Sequence, residues 1–285
     1  MFNKYHALAL VVFFVAQSCH ADGEPLNING VRGSVLQFED WNESLRAWSD
    51  INYKSQNLAF KLYSLPSKGG ASGIETAASS DAEMVSPAKK FVMVQRIVSG
   101  KVTDEQGNDI NSEQTYCDAV SLESGCVVNV GSALQCDGAW AGEKWKAATE
   151  GILDFSKAGF PPKQLISEVS GMSSNESRSN SLIDLVFMGV PSYMACYPPE
   201  RNISEYNDIG FYFAQGGEHL LAMQIYNKLL ELAPDRVPLK LNVADSLWAL
   251  GKQAEAKSFY VSYRDAMLKK GAENKVPARV EERSH

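Results

Sequence analysis

Histidine is scarce in this sequence, with four residues in a chain of 285. Two of them lie in the first 20 residues, so a chain cut after position 21 would keep only His219 and His285. Catalysis by Ser-His-Asp or Cys-His groups needs a positioned imidazole, and this chain has few to supply one. The sequence also lacks the HExxH, GxSxG, GxxxxGK[ST] and GxGxxG motifs. We therefore predict no catalytic residues and a protein that is not an enzyme.

Runs of basic residues are missing as well. The chain has 27 Lys and Arg against 34 Asp and Glu, which gives a formal net charge of −7. Binding to nucleic acid phosphates needs clustered basic side chains, so nucleic acid is excluded as a partner. The four cysteines after position 21 are nine, ten and sixty residues apart, without a CxxC pair or a nearby histidine. This spacing argues against zinc, and we predict neither a metal site nor a cofactor.

No hydrophobic run is long enough for a membrane-spanning helix. The longest is the ten-residue stretch Ala7–Ala16, whereas a spanning helix needs about 20 residues. A lysine precedes this run and a short polar stretch follows it, which predicts a signal peptide over residues 1–21 and export to the periplasm or the medium. A second interpretation stays open, because Ala16–Cys19 resembles a lipobox. In that case Cys19 would be lipidated and the protein would be anchored to a membrane.

The four cysteines that follow the predicted signal peptide are Cys117, Cys126, Cys136 and Cys196. An even number in an exported chain predicts two disulfides, and four cysteines allow three pairings. The segment around Cys117 and Cys126 has the pattern of two strands joined by a turn. Because neighbouring strands bring side chains within disulfide distance, Cys117–Cys126 is the preferred pair, with Cys136–Cys196 as the other.

The fold class predicted from these patterns is α+β. A β-rich or α+β domain with disulfides is expected over residues 22–200, and a helical period begins near Ile203. Gly, Ser and Ala dominate residues 66–90, and polar residues dominate 170–181, so both segments are predicted to be mobile loops.

Three further elements are predicted inside the first domain. Phe91–Val102 is β-branched and indicates a strand, and two strands are expected on either side of residues 122–125. The apolar spacing from Trp145 to Phe155 indicates a short amphipathic helix. Residues 182–197 are apolar and β-leaning, which indicates one or two strands.

The C-terminal part repeats with an offset of 34 residues. Gly210 falls on Ala244, Ala222 on Ala256 and Tyr226 on Tyr260. Small residues let two helices approach closely, and the tyrosines fill the space towards the next helix. Over residues 203–270 the chain resembles the tetratricopeptide repeat (TPR) family, which has this period. Its general layout is similar to that of exported bacterial TPR proteins of uncharacterised type.

The resemblance implies two helix hairpins, followed by a tail over residues 271–285 with a final turn beginning at Pro277. TPR arrays bind proteins on the face formed by the first helix of each hairpin. Carried over by position, the partner-binding residues implied are Asn207, Phe211, Asp245 and Trp248. Two repeats are too few to be stable alone, so these residues could instead pack against the rest of the chain.

These observations predict an exported, non-catalytic protein that binds another protein. The most specific hypothesis is an immunity or inhibitor protein whose acidic surface neutralises a basic, envelope-acting bacterial toxin. One alternative is an envelope assembly factor or scaffold that binds proteins through its TPR face. The other is a hydrolase built on Glu39, Asp40 and Glu143, with Trp140 and Trp145 as an aromatic platform.

Overall fold

The computed structural model describes residues 23–65, 75–103, 105–149, 151–155 and 159–284. The predicted signal peptide and Cys19 lie outside these ranges. The fold is α+β, as predicted: strands occupy the chain as far as Ile152, and α-helices begin at Pro162.

Within the described residues, an eight-stranded, curled antiparallel sheet forms the N-terminal half. Its strands are β1 (Leu26–Asn29), β2 (Val35–Asn42), β3 (Ala47–Lys54), β4 (Ala59–Lys61), β5 (Glu75–Ser79), β6 (Phe91–Thr103), β7 (Asp109–Ser121) and β8 (Val127–Ser132). The order across the sheet is β1-β2-β3-β5-β6-β7-β8, with β4 also paired to β3. A separate three-stranded sheet consists of β9 (Gly138–Ala141), β10 (Lys144–Ala147) and β11 (Gly151–Ile152).

The strands follow the alternation of apolar and polar residues. In β2, Leu36 and Phe38 are fully buried while their neighbours are partly exposed, and β3 buries Ile51 and Tyr53 in the same way. Successive side chains of a strand point to opposite faces, so one face of this sheet carries the core. The strands predicted over Phe91–Val102 and around residues 122–125 are confirmed as β6, β7 and β8.

Two predictions about local structure in this half are wrong. The predicted loop over residues 66–90 contains β5, which is a strand of the larger sheet. Its Ala77 and Ala78 are fully buried, because small apolar side chains fit into the core although a segment rich in them resembles a linker. The helix predicted from Trp145 to Phe155 is replaced by β10 and β11. Trp145 and Ala147 are buried while the residues between and before them are exposed, so the period is two.

The disulfides form, but the preferred pairing is wrong. Cys117 is bonded to Cys136, and Cys126 is bonded to Cys196. Cys117 pairs across the sheet with Gly131, whereas Cys126 lies at the end of the turn, where its carbonyl accepts a hydrogen bond from Ser121. The register of the hairpin therefore keeps Cys117 and Cys126 apart. The number of residues between the two cysteines did not predict this register.

The C-terminal half consists of helices. Within the described residues these are α1 (Pro162–Ser170), α2 (Asn175–Leu185), α3 (Val190–Cys196), α4 (Ile203–Gln215), α5 (His219–Leu232), α6 (Val237–Ala249), α7 (Gln253–Lys269) and α8 (Ala278–Arg283). Consecutive helices α4 and α5 pack together, as do α6 and α7, and α5 contacts α6. The chain thus forms two stacked helix pairs, and α8 follows Pro277, where the sequence predicts a final turn.

Two segments upstream of these pairs differ from prediction. Most of the loop predicted over residues 170–181 belongs to α2, because Ser174 caps the helix by accepting a hydrogen bond from the Ser177 amide, 3.0 Å away. The strands predicted over residues 182–197 are helical, as the end of α2 and α3. Short apolar runs of this length do not distinguish a buried helix from a strand, and packing on the sheet decides.

One cluster of buried apolar residues runs from the sheet through all the helices. It begins at Leu26 in β1 and reaches Val280 in α8, and residues of α1, α2 and α3 connect the two halves. A smaller cluster around Trp145 and the Cys117–Cys136 bond lies under the three-stranded sheet. The stacked helix pairs therefore share one hydrophobic core with the rest of the protein.

Candidate functional site

The residues implied by the TPR resemblance lie on α4 and α6, but they do not form one open face. Asn207 is 5% exposed, and its side-chain oxygen accepts a hydrogen bond from Nδ2 of Asn242 at 3.2 Å, which ties α4 to α6. Phe211, one turn further along α4, is 41% exposed. Of the two residues predicted on α4, only Phe211 presents its side chain to solvent.

Helix α8 occupies the surface of α6 that holds Asp245 and Trp248. The Asp245 carboxylate accepts hydrogen bonds from Nε and Nη2 of Arg279 at 2.9 and 2.7 Å, and from the Tyr260 hydroxyl at 2.8 Å. The guanidinium of Arg283 lies 4.7 Å from the ring centroid of Trp248. The chain's own last helix thus contacts both predicted partner-binding residues of α6.

Burial and the hydrogen bonds to Asp245 shift the pKa values of Tyr260 and Arg279. Burial raises the pKa of Tyr260 to about 12, with the Asp245 charge raising it and the hydrogen bond from Arg283 lowering it. The hydrogen bond to Asp245 raises the pKa of Arg279. Arg279 therefore stays charged and Tyr260 stays neutral at physiological pH, which keeps their hydrogen bonds to Asp245 intact.

The close approach inside each helix pair depends on small residues. A Cβ atom added at Gly210 would clash with the ring of Tyr226, which is fully buried. At the equivalent positions of the second pair, Ala244, Ala256 and Tyr260 are fully buried too. Positions separated by 34 residues are thus buried alike in the two helix pairs.

A second surface is the projecting end of the β6–β7 hairpin, which we call the arm (residues 100–113). Beyond Ser99 and Tyr116, no other strand among the described residues pairs with either edge of this hairpin. The arm residues whose exposure is described are all exposed apart from Gly100, including Ile110, which is 48% exposed. A two-stranded hairpin with both edges open is marginally stable by itself.

The arm is acidic, and so is the half of the protein that carries it. Residues 100–113 contain four acidic side chains, Asp104, Glu105, Asp109 and Glu113, against one basic side chain, Lys101. Residues 22–155 contain 19 acidic and 11 basic side chains, while residues 156–285 contain 15 of each. The negative charge of the chain therefore belongs to the β-rich half and not to the stacked helices.

A buried ion pair lies near the base of the arm. Arg96 in β6 donates through Nε to Oδ2 of Asp118 in β7 at 2.7 Å, and the side chains are 7% and 0% exposed. Nδ2 of Asn129 donates to the other carboxylate oxygen at 2.8 Å. The guanidinium lies between the rings of Tyr116 and Phe187, at 4.4 and 4.1 Å from their centroids. Such a pair persists in the core because hydrogen bonds satisfy the carboxylate.

Arg96, Asp118 and the arm were not predicted from the sequence. One signal was available: Arg96 lies in a largely apolar strand, FVMVQRIV, and a charged residue inside such a strand needs a buried partner. Nothing comparable in the sequence predicted the length of the arm. The point at which the hairpin leaves the sheet depends on where β5 and β8 end, and only the structure shows these ends.

The residues suggested for a hydrolase are held in other interactions. Oε1 of Glu143, on the turn between β9 and β10, accepts a hydrogen bond from the backbone amide of Ala88 at 2.7 Å. Trp145 is 1% exposed and donates to the Gln135 carbonyl, and Trp140 donates to the Met84 carbonyl. Glu39 and Asp40 lie in β2 of the larger sheet. Trp145 is therefore buried, and Trp140 is partly buried with its ring nitrogen bonded to the backbone.

No helix among the described residues is both long and apolar enough to cross a bilayer. Within the same ranges, no group of three or more His, Cys, Asp and Glu side chains could hold a metal ion. The two disulfides indicate an oxidising, non-cytoplasmic location. Comparison of the chain with protein-family models, curated proteins and solved structures finds no significant match. The function therefore has to be argued from the residues themselves.

Proposed function

We propose that this is an exported, non-catalytic binding protein that recognises a partner protein with a basic surface through the acidic arm. The observation that carries the proposal is the arm itself: a hairpin with two open edges, an exposed Ile110 and a net negative charge. Such a hairpin has little stability of its own, and its acidic side chains would interact favourably with basic side chains on a partner. The most specific form of this proposal is an immunity or inhibitor protein that neutralises an envelope-acting toxin.

The stacked helices have a supporting role in this proposal. We propose that α4–α7 are two TPR units, supported by the equivalent packing of Gly210, Ala244 and the two buried tyrosines. Because α8 contacts Asp245 and Trp248, the second unit has its binding face covered by the chain's own tail. The helices then serve as a base for the sheet, and Phe211 is the predicted residue on them that remains available to a partner.

A charge-reversal experiment tests the proposal. The partner is first captured from envelope extract with the purified protein and produced separately, and its affinity is measured by calorimetry at two salt concentrations. We expect Glu105→Lys with Glu113→Lys to weaken binding at least tenfold. The matched control is Glu168→Lys with Glu282→Lys, which makes the same change of charge at exposed positions on α1 and α8.

The control should bind within about twofold of the original protein, and the affinity of the original protein should fall as salt rises. One basic partner at nanomolar affinity would support the neutralising role. Several weakly bound partners would favour an assembly factor instead. Equal losses in the two double variants, or a partner with an acidic surface, would contradict recognition through the arm.

A further inference from the structure

We propose that a cavity between the sheet and helices α2 and α3 binds a small, uncharged apolar molecule through an oxygen atom that accepts hydrogen bonds from Arg96. The cavity has a volume of about 750 Å³. Sites for small organic molecules typically have volumes of about 300–1,000 Å³, mostly apolar walls and a few polar groups that orient the ligand. This proposal is independent of the partner proposed for the arm.

The walls of the cavity come from both halves of the protein. Arg96 and Tyr116 contribute from β6 and β7, Ile183 from α2, and Tyr193 from α3. Phe160 and Phe187 add two further aromatic rings from the segments next to these helices. Aromatic and aliphatic side chains therefore form most of the surface that a ligand would contact, and such a surface favours an apolar body.

Arg96 supplies hydrogen-bond donors at this wall. A guanidinium group has five N–H groups, and Asp118 takes only the one on Nε. The terminal nitrogens of Arg96 have no hydrogen-bond partner among the described residues, although 93% of the side chain is buried, from an exposure of 7%. Stacking between Tyr116 and Phe187 fixes the plane of the group. Donors that line the cavity and have no acceptor from the protein favour a ligand that brings one.

The charges around the cavity favour a neutral acceptor over an anion. The positive charge of Arg96 is already balanced by Asp118 at 2.7 Å. The carboxylate that lines the cavity itself is Asp184, which is exposed. An anionic ligand would therefore meet this carboxylate and a guanidinium whose charge is already balanced. A ketone, ester or amide oxygen could accept the free N–H groups without adding a negative charge.

Three matched probes test the inference: 4-phenylbutan-2-one, butylbenzene and 4-phenylbutanoate. They share an apolar body and differ in carrying a carbonyl, no acceptor, or a carboxylate. Binding to the purified protein is followed through the methyl resonances of Ile183 and Val127. A hydrogen bond to a charged donor corresponds to about ten- to hundredfold in affinity. We therefore expect the ketone to bind at least tenfold more tightly than butylbenzene and more tightly than the carboxylate.

Two variants separate the hydrogen bond from the cavity. Arg96→Met with Asp118→Asn removes both charges together, so no buried charge is left unpaired, and it should abolish the preference for the ketone over butylbenzene. Ile183→Trp fills the cavity, leaves the ion pair intact, and should abolish binding of both probes. Leu220→Trp, at an exposed position on α5, is the control and should bind like the original protein. Thermal melts establish that each variant is folded.

The inference is overturned if no probe shifts the cavity resonances, or if Ile183→Trp still binds them. Equal affinity for the ketone and butylbenzene in the original protein would show that Arg96 does not supply the recognition. Tighter binding of the carboxylate would show that the site is built for an anion. Loss of the selectivity for the ketone in the Arg96→Met, Asp118→Asn variant, with both probes still bound, would confirm the assignment.

Discussion

Removal of the Cys126–Cys196 disulfide should cost about 4 kcal/mol of unfolding free energy. This bond joins the turn before β8 to the end of α3 and closes a loop across 70 positions. In the chain-entropy model, a cross-link across a loop of that length lowers the entropy of the unfolded chain by an amount worth about 4 kcal/mol at 25 °C. The loss is large, because a typical domain is stable by only about 5–15 kcal/mol.

The remaining contacts between α3 and the sheet limit how much stability is lost when the disulfide is removed. The Ser192 hydroxyl, which is buried, donates to the Gly125 carbonyl at 2.7 Å and accepts from the Val127 amide at 3.1 Å. These hydrogen bonds join α3 to the sheet without the disulfide. We therefore expect the variant Cys126→Ala with Cys196→Ala to fold to the same structure and to unfold at lower denaturant.

The assay is urea unfolding followed by tryptophan fluorescence and by circular dichroism, with the m-value compared between the two proteins. In reducing buffer the original protein also lacks its disulfides, so the difference between the two proteins should shrink to about 1 kcal/mol or less. A loss below about 1 kcal/mol in oxidising buffer would refute the reasoning. So would a peptide map of the unreduced protein in which Cys117 is linked to Cys126.

Three further predictions follow from the helical half. Gly210→Ala should lower the free energy of unfolding by about 1–3 kcal/mol, because the new methyl group meets the Tyr226 ring. The control Gly171→Ala adds a methyl group where space is open and should change the stability in urea little. Equal effects of the two substitutions would refute the close approach. Arg279→Ala should lower the free energy of unfolding by about 1 kcal/mol, since the hydrogen bonds between Arg279 and Asp245 are partly exposed. The same substitution should speed amide hydrogen exchange in α8. Unchanged exchange there would show that other contacts hold the helix. Burial lowers the pKa of His219 below its usual 6.5, so the unfolded chain takes up this proton first and stability falls as the pH drops through 6.5. His219→Gln should flatten that part of the stability curve, and an unaltered curve would assign the pH dependence to other groups.

The parts of the fold that could be predicted are those with a strong local period. The β-branched residues of Phe91–Val102 gave β6, and the helical period with its 34-residue offset gave the positions of Gly210 and Tyr226 at the helix contact. Segments with a weak or mixed signal were predicted wrongly. The apolar run over residues 182–197 has no period that separates strand from helix, and it became helical because it packs on the sheet.

Site prediction failed where the answer depended on contacts between distant segments. Asp245 and Trp248 occupy the positions that the TPR resemblance implies, but Arg279 and Arg283 contact them from α8, more than 30 residues later in the chain. The cavity wall combines Arg96 with Ile183 from α2 and Phe187 just after it. No local pattern predicts that these segments are in contact, because the residue pattern of each segment would be the same if it packed elsewhere.

The amino-acid sequence by itself determined the α+β class, the participation of the four cysteines after position 21 in disulfides, and the repeated contact positions of the helix pairs. These properties depend on composition and on periods that every segment carries within itself. Only the tertiary structure decided which cysteines pair, where the β6–β7 hairpin leaves the sheet, and which surfaces remain open. Those outcomes depend on strand register and on packing between segments far apart in the chain, where a shift of one residue exchanges the buried and exposed faces.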